Sequence, residues 1–328
     1  MRETSVKGNY FEMKSVFIKD ICAGDIVGDI FLVAEKNMAT SQKGSLYLNI
    51  RLKDRTGEIE GRIWNNAAEL SRVFNKGDFI RVRSRAVSYR DTLQLSISEV
   101  RKSDDAVIDP RDFLPASASD IDGMFEDLME FVKKVDTPCL KELLHEFFED
   151  EDIAGRFKKA PAAKGLHHAY IGGLLEHTLS VTRLIDMAAD HYRGADRDIL
   201  IAGGILHDIG KIYELSFDKM IDYTDKGRLI GHIVMGVEAL DTKIAGIENF
   251  PEQLAMELRH ILLSHHGILE YGSPKRPKTL EALIVHFADD LDAKVNAFQE
   301  FIGKNNDDTD WTPFHRLFER YIYKGRRD

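Results

Sequence analysis

Leu206-His207-Asp208-Ile209-Gly210-Lys211 follows directly on the apolar run Ile199-Leu200-Ile201-Ala202-Gly203-Gly204-Ile205. A run of that composition reads as a buried helix. An ionised carboxylate in such a setting is stable only when it is paired or bound to a metal. At helical spacing Asp208 shares a face with Ile201, Gly204, Ile205 and Ile212. Lys211, three residues on, is the one local countercharge. Adjacent His and Asp in an apolar helix, with glycines one turn back to make room, suggest a divalent metal. An ordinary hydrogen-bonded core pair would explain the dipeptide equally well, so the decision lies with the rest of the chain.

Four further stretches carry the same signature. His177 has Leu174, Val181 and Leu184 as its helix neighbours. His232 opens an apolar helix in Gly231-His232-Ile233. His265 and His266 close another in Leu262-Leu263-Ser264-His265-His266-Gly267, and Asp289 lies among Ala282, Val285, His286 and Ala293. Each alone is a reasonable core residue. A shared metal centre accounts for all of them at once.

The N-terminal part reads differently. From Val16 to Val100 short alternating runs are separated by turn signals. Leu46, Leu48, Ile50 and Leu52 face one side, with Tyr47, Asn49 and Arg51 on the other. Asp54-Arg55-Thr56-Gly57 makes a turn. Ile59, Gly61 and Ile63 then point inward, and Glu60, Arg62 and Trp64 outward. Residues 65–74 suggest a short helix. Ile80 and Val82 alternate with Arg81, Arg83 and Arg85, and Leu93, Leu95 and Ile97 close the set.

The chain has 328 residues and a net charge of −10. Residues 15–103 carry 15 Lys and Arg against 11 Asp and Glu, a balance of +4, so the remainder carries −14. This asymmetry points to two domains with different tasks. The expected boundaries are 15–103 for the barrel, 104–118 for a linker rich in Pro, Asp, Ala and Ser, and 119–328 for a helical domain. Residues 120–148 have helical periodicity broken at Thr137-Pro138. No membrane span is expected, because no apolar stretch of about 18 residues occurs. The N-terminus lacks an apolar signal core, and Cys22 and Cys139 have no metal-type spacing. Both features fit a cytoplasmic protein.

The strand, hairpin and helix pattern of residues 16–100 resembles an OB-fold of the anticodon-binding type. OB-folds commonly bind single strands with stacking aromatics and basic residues. Tyr47, Asn49, Arg51, Arg62, Trp64, Arg81 and Arg83 are the candidate contacts. The order His177, His207-Asp208, His232, His265-His266, Asp289 resembles that of the binuclear HD-domain metal-dependent phosphohydrolases. The combination is similar to the YhaM family of 3′–5′ exoribonucleases over about residues 15 to 325. The stretches that carry this likeness run from Leu166 to Thr178, from Ser264 to Pro274 and from Asp289 to Lys294.

The resemblance implies a multidomain chain, an N-terminal all-β OB-fold barrel followed by an all-α HD domain. It implies that one ion takes His177, His207, Asp208 and Asp289. Asp208 would bridge to a second ion held by His232, His265 and His266. Asp289 rather than Asp290 matches the family's last aspartate, and Lys211 matches a lysine that follows the dyad. Asp208, Lys211 and His168 are then the catalytic candidates, with His168 at the pocket edge within reach of a phosphate. A largely histidine ligand set suits Mn²⁺ best, with Fe²⁺ or Co²⁺ as the other candidates. The implied partner is single-stranded RNA, and single-stranded DNA and a homo-oligomeric state stay open. Two further readings stay open beside it: a nucleotide or cyclic-dinucleotide phosphohydrolase, and a non-catalytic single-strand-binding factor.

Overall fold

The computed structural model describes residues 14–41, 44–90, 92–104, 108–165, 168–305 and 307–325. The chain divides into two compact units, Met1–Ala116 with Asp218–Met220, and Ser117–Phe217 with Ile221–Asp328.

The first unit holds β1 (Ile26–Thr40), β2 (Leu46–Asp54), β3 (Gly57–Ile63), a short α1 (Ala67–Leu70), β4 (Phe79–Tyr89) and β5 (Thr92–Lys102). The strands close into a barrel in the order β1-β2-β3-β5-β4. Alternation places Leu48, Ile50, Leu52, Ile59, Ile63, Ile80, Val82, Leu95 and Ile97 in its interior. Leu46 shares their side of β2 but is exposed. The Asp54 carboxylate accepts from the Thr56 amide and hydroxyl at 2.8 and 2.6 Å, which makes the β2–β3 turn. Gly61 is needed inside, because a Cβ there would lie 2.7 Å from Ile97 Cδ1.

The segment expected to be a linker departs from that expectation. Residues 105–107 lie outside the described residues, but Ile108 and Phe113 are buried and form a second small core with Ile30, Leu32 and Phe79. The Phe79 and Phe113 rings lie 4.6 Å apart. The apolar positions of this segment, read as composition, hid two anchors for the outer face of β1.

The second unit runs α2 (Ile121–Lys133), α3 (Pro138–Phe148), α4 (Glu151–Lys159), α5 (Gly173–His191), α6 (Arg197–Leu206), α7 (Lys211–Glu214), the ribbon β6 (Leu215–Ser216) and β7 (Asp222–Tyr223), α8 (Asp225–Ile230), α9 (His232–Ile244), α10 (Glu252–Ser264) and α11 (Leu280–Lys304). Local chemistry sets the ends. Asp120, Asp150 and Asp196 cap α2, α4 and α6, and Thr279 caps α11. Pro138 opens α3, where its missing amide costs nothing. One apolar core links α2, α3, α5, α6, α10 and α11. Among the described residues no helix is long and apolar enough to cross a membrane.

Candidate metal centre

The dyad does not continue the apolar helix, as the sequence reading supposed. α6 stops at Leu206, and His207 to Gly210 form the turn before α7. The break turns both side chains into the core between α5, α9, α10 and α11. Close packing is what the glycines allow. A Cβ at Gly203 or Gly204 would collide with Ile261 or Ile185, and one at Gly210 would strike the His232 carbonyl.

The structure brings the sequence-predicted ligands together. His177 on α5, His207 after α6 and Asp289 on α11 form one set; Asp208, His232 at the start of α9, and His265 and His266 after α10 form another. The two oxygens of Asp208 divide between the sets. Oδ2 lies 3.6 Å from His177 Nε2 and 3.4 Å from His207 Nε2. Oδ1 lies 3.5 Å from His232 Nε2 and 3.5 Å from His265 Nε2. Asp289 Oδ1 adds to the first set, 3.2 Å from His177 Nε2.

The outer nitrogen of every one of these imidazoles is committed. His207 Nδ1–H donates to the Gly204 carbonyl at 2.7 Å, and His265 Nδ1–H to that of Leu262 at 2.8 Å. His266 Nδ1–H donates to the Tyr271 carbonyl at 2.8 Å. His177 and His232 use carboxylates instead, Asp292 at 2.7 Å and Glu214 at 3.0 Å. A carbonyl or carboxylate at Nδ1 takes the proton of that nitrogen, so in each ring it is Nε2 that is turned to the interior. Three of the inward atoms, Asp208 Oδ1, His232 Nε2 and His265 Nε2, are buried without a hydrogen-bond partner. Orphaned buried polar atoms are costly. Orphans that converge from three elements, on nitrogen and carboxylate donors, fit a divalent cation.

Electrostatics agrees. Burial lowers the pKa of His265 and lowers that of His266 to about 3, so both rings are neutral and able to ligate. Burial would lower His177 too, but hydrogen bonds to Asp289 and Asp292 outweigh it and raise its pKa to about 9. Asp208 pays a burial penalty as well, yet the adjacent Lys211 ammonium, with hydrogen bonds from the surrounding imidazoles, holds it well below the usual carboxylate range. Lys211 Nζ lies 2.6 Å from Asp208 Oδ2, and this pairing raises the lysine against its burial.

His168 is not at the pocket edge. It is buried, with Nε2 3.1 Å from Asp292 Oδ2 and Nδ1 2.8 Å from the Tyr170 hydroxyl. Asp292 therefore holds His177, His168 and the Ser180 hydroxyl together. The sequence reading singled out neither Asp292 nor Glu214. A signal existed for each: Asp292 follows Asp289 by three residues on one helix face, and Glu214 follows Lys211 by three.

On the barrel, register pairs Asn49 with Arg62 and Arg51 with Glu60 across β2 and β3. Tyr47 and Trp64 stack with ring centroids 4.6 Å apart, and the Arg62 guanidinium lies 5.9 Å from Tyr47 and 5.4 Å from Tyr89. Arg51 pairs with Glu35 and Glu58, Arg62 with Glu60, and Arg83 with Glu99. The strand order puts β4, with Arg81 and Arg83, between β5 and β1, adjacent to neither β2 nor β3. The sequence pattern gave facing but not strand order.

Residues 174–294 match the HD domain, and residues 26–102 match the OB-fold nucleic acid binding domain. This is an OB-fold joined to an HD domain. Among solved structures the chain is similar to the second OB-fold domain of replication protein A from Methanococcus maripaludis. That match has 22% identity over 26% of this chain and 92% of the other, with a TM-score of 0.23. A mitochondrial single-stranded DNA binding protein from S. cerevisiae matches at 17% identity over 25% and 95%, with a TM-score of 0.22. The HD domain of the L. monocytogenes phosphodiesterase PgpH matches at 20% identity over 51% and 80%, with a TM-score of 0.29. HD domains are metal-dependent, and the His and Asp sets described above lie almost wholly within the matched span.

Proposed function

We propose that this protein is a metal-dependent 3′–5′ exonuclease that hydrolyses single-stranded RNA, and single-stranded DNA as a second substrate, to nucleoside monophosphates. The observation that carries the reading is the convergence of five imidazole Nε2 atoms on an Asp208 whose two oxygens face different histidines. His177, His207, Asp208 and Asp289 would hold one ion, and His232, His265 and His266 with Asp208 a second; Mn²⁺ suits this donor set, and Fe²⁺ or Co²⁺ would also be accepted. Bound ions supply Lewis acidity and a nucleophilic hydroxide near neutral pH.

The chain's own groups do the rest. Lys211 reaches the cleft beside the centre with its proton retained, and so presents a cation to a phosphate or to the departing oxygen. Asp292 and Glu214 fix the ring orientation of His177 and His232, and His168 acts behind Asp292 as a positioning residue. On the barrel Tyr47, Trp64 and Arg62 offer a stacking and cationic surface for bases and backbone.

Incubation with 5′-labelled single-stranded RNA and DNA, with and without Mn²⁺, tests the reading. A ladder shortening from the 3′ end, only with metal, is the expected result. Internal cleavage, or release of label from the 5′ end, would overturn it.

A further inference from the structure

The metal centre opens into a cleft of about 460 Å³ within the helical unit. Its lining combines two chemistries: Lys211, His232, His266 and Asp289 of the centre, and the aromatic rings of Tyr223, Tyr271 and Phe318. Tyr223 and Tyr271 are exposed, so no core packing accounts for their rings. Phe318 is held in place by Phe298, with ring centroids 4.5 Å apart, and by His315 at 4.6 Å. α11 forms the floor. Ala293 and Ala297 follow Asp289 by four and eight residues on one face, and leave an apolar trough that leads away from the carboxylate.

The cationic groups at the rim are already engaged. Lys164 lies 2.7 Å from Asp222, and Lys294 lies 2.7 Å from Asp290. Each rim lysine is thus balanced by an adjacent carboxylate, and the aromatic rings add flat apolar area beside them. A ligand that fits this lining carries a phosphate and a planar, weakly polar ring system. The volume lies in the range of sites that bury one small molecule.

We infer that this cleft contains a nucleobase subsite, in which the base of the terminal nucleotide lies against the lining aromatics Tyr223, Tyr271 or Phe318 while its phosphate reaches the metal centre. The inference rests on the exonuclease reading for the source of the base. Stacking on side chains is tolerant of base identity, because every base has a π-face. Tyr223 and Tyr271 would thus be positioning residues that let one site process mixed sequence.

The test uses the full-length, Mn²⁺-loaded protein and two ligands, AMP and ribose 5-phosphate, titrated calorimetrically. The base should tighten binding by about 5- to 150-fold, the usual worth of one stacked base. Tyr271→Ala and Tyr223→Ala should each shrink that ratio, and Tyr271→Phe should restore it. Ala297→Leu, which keeps a good helix former, should fill the trough and weaken AMP while leaving ribose 5-phosphate nearly unchanged. Equal binding of the two ligands to the wild type would overturn the subsite, whatever the variants do. A 3′-end ladder with equal ligand binding sinks only the subsite; a large AMP preference without any ladder sinks only the exonuclease reading.

Discussion

In the HD domain each histidine of the centre has its outer nitrogen tied down, three to backbone carbonyls and two to carboxylates. On the barrel each candidate arginine of β2 and β3 instead shares an ion pair with a nearby glutamate, and Arg51 does so at 3.7 and 3.8 Å with side chains roughly half exposed. The two regions therefore hold their polar groups at very different cost. A buried donor without a partner costs about 1–3 kcal/mol, so the interior must determine every orientation. An exposed ion pair is worth about 0–1 kcal/mol, so an arginine can exchange its glutamate for a phosphate at little loss. One site is built before anything binds; the other is a surface able to rearrange.

That contrast is broken most severely at Asp208. Asp208→Ala removes the carboxylate that faces both sets and breaks its buried pair with Lys211, and losing one partner of a buried pair costs about 3–5 kcal/mol. Hydrolysis should fall to background and metal content should drop, while the separate barrel keeps its affinity for single strands. Elemental analysis and a strand-binding titration check both halves. Undiminished turnover with full metal content would remove Asp208 from the centre.

A smaller effect is expected one layer out. Asp292→Asn and Glu214→Gln keep the shape but weaken the grip on His177 and His232, and such changes cost about 10–100-fold in metal affinity or activity. His168→Ala should follow Asp292→Asn in the same direction and by less, since it acts through that carboxylate. Metal titration of each variant measures the order. A His168→Ala loss larger than that of Asp292→Asn would place His168 in contact with substrate instead.

The pH dependence of the metal-free chain sharpens the same point. The pKa of His177 is raised to about 9 in the fold, against about 6.5 for a free imidazole. A raised pKa contributes stability that is complete below the unfolded value and is lost as the pH rises through the folded one. The melting temperature of chelator-treated protein should therefore fall between about pH 6.5 and 9, and the metal-loaded protein should not follow it. Below that window His265 and His266, whose pKa values are lowered, act in the opposite sense. A metal-free melting temperature that is flat from pH 7 to 9 would contradict the His177 assignment.

The same contrast explains what could be read in the sequence. His177, His207, Asp208, His232, His265, His266 and Asp289 were legible because several apolar helices each carry a His or Asp, a coincidence that one shared centre explains. The barrel interior was legible because β2, β3 and β4 alternate. What was hidden depends on contacts distant in sequence. His168 has an unremarkable local context, and only the fold brings Asp292, more than a hundred residues away, against it. The helix break after Leu206 was hidden by an unbroken apolar run. The position of β4 was hidden because alternation says which side faces in, and nothing about which strand lies next to which.

The last and smallest effects test that strand order directly. If the β2–β3 face holds the strand, Trp64→Ala should weaken single-strand binding by roughly 1–3 kcal/mol with little change in salt dependence, because a stacked base carries no counterion. Arg51→Ala should reduce the slope of log K against log salt by about 0.7, the contribution of one phosphate on a single strand. Arg83→Ala is the control, since β4 is adjacent to neither β2 nor β3. It should leave the slope unchanged, although its charge and its glutamate partner resemble those of Arg51. None of the three touches the metal centre, so hydrolysis of bis-(p-nitrophenyl) phosphate should persist in all of them. Binding measured from low to physiological salt separates the outcomes. Equal slope changes for Arg51→Ala and Arg83→Ala would mean that the strand wraps both walls. A change for Arg83→Ala alone would move the binding surface to β4, and Tyr47 and Trp64 would then be a stacked cap on the barrel surface.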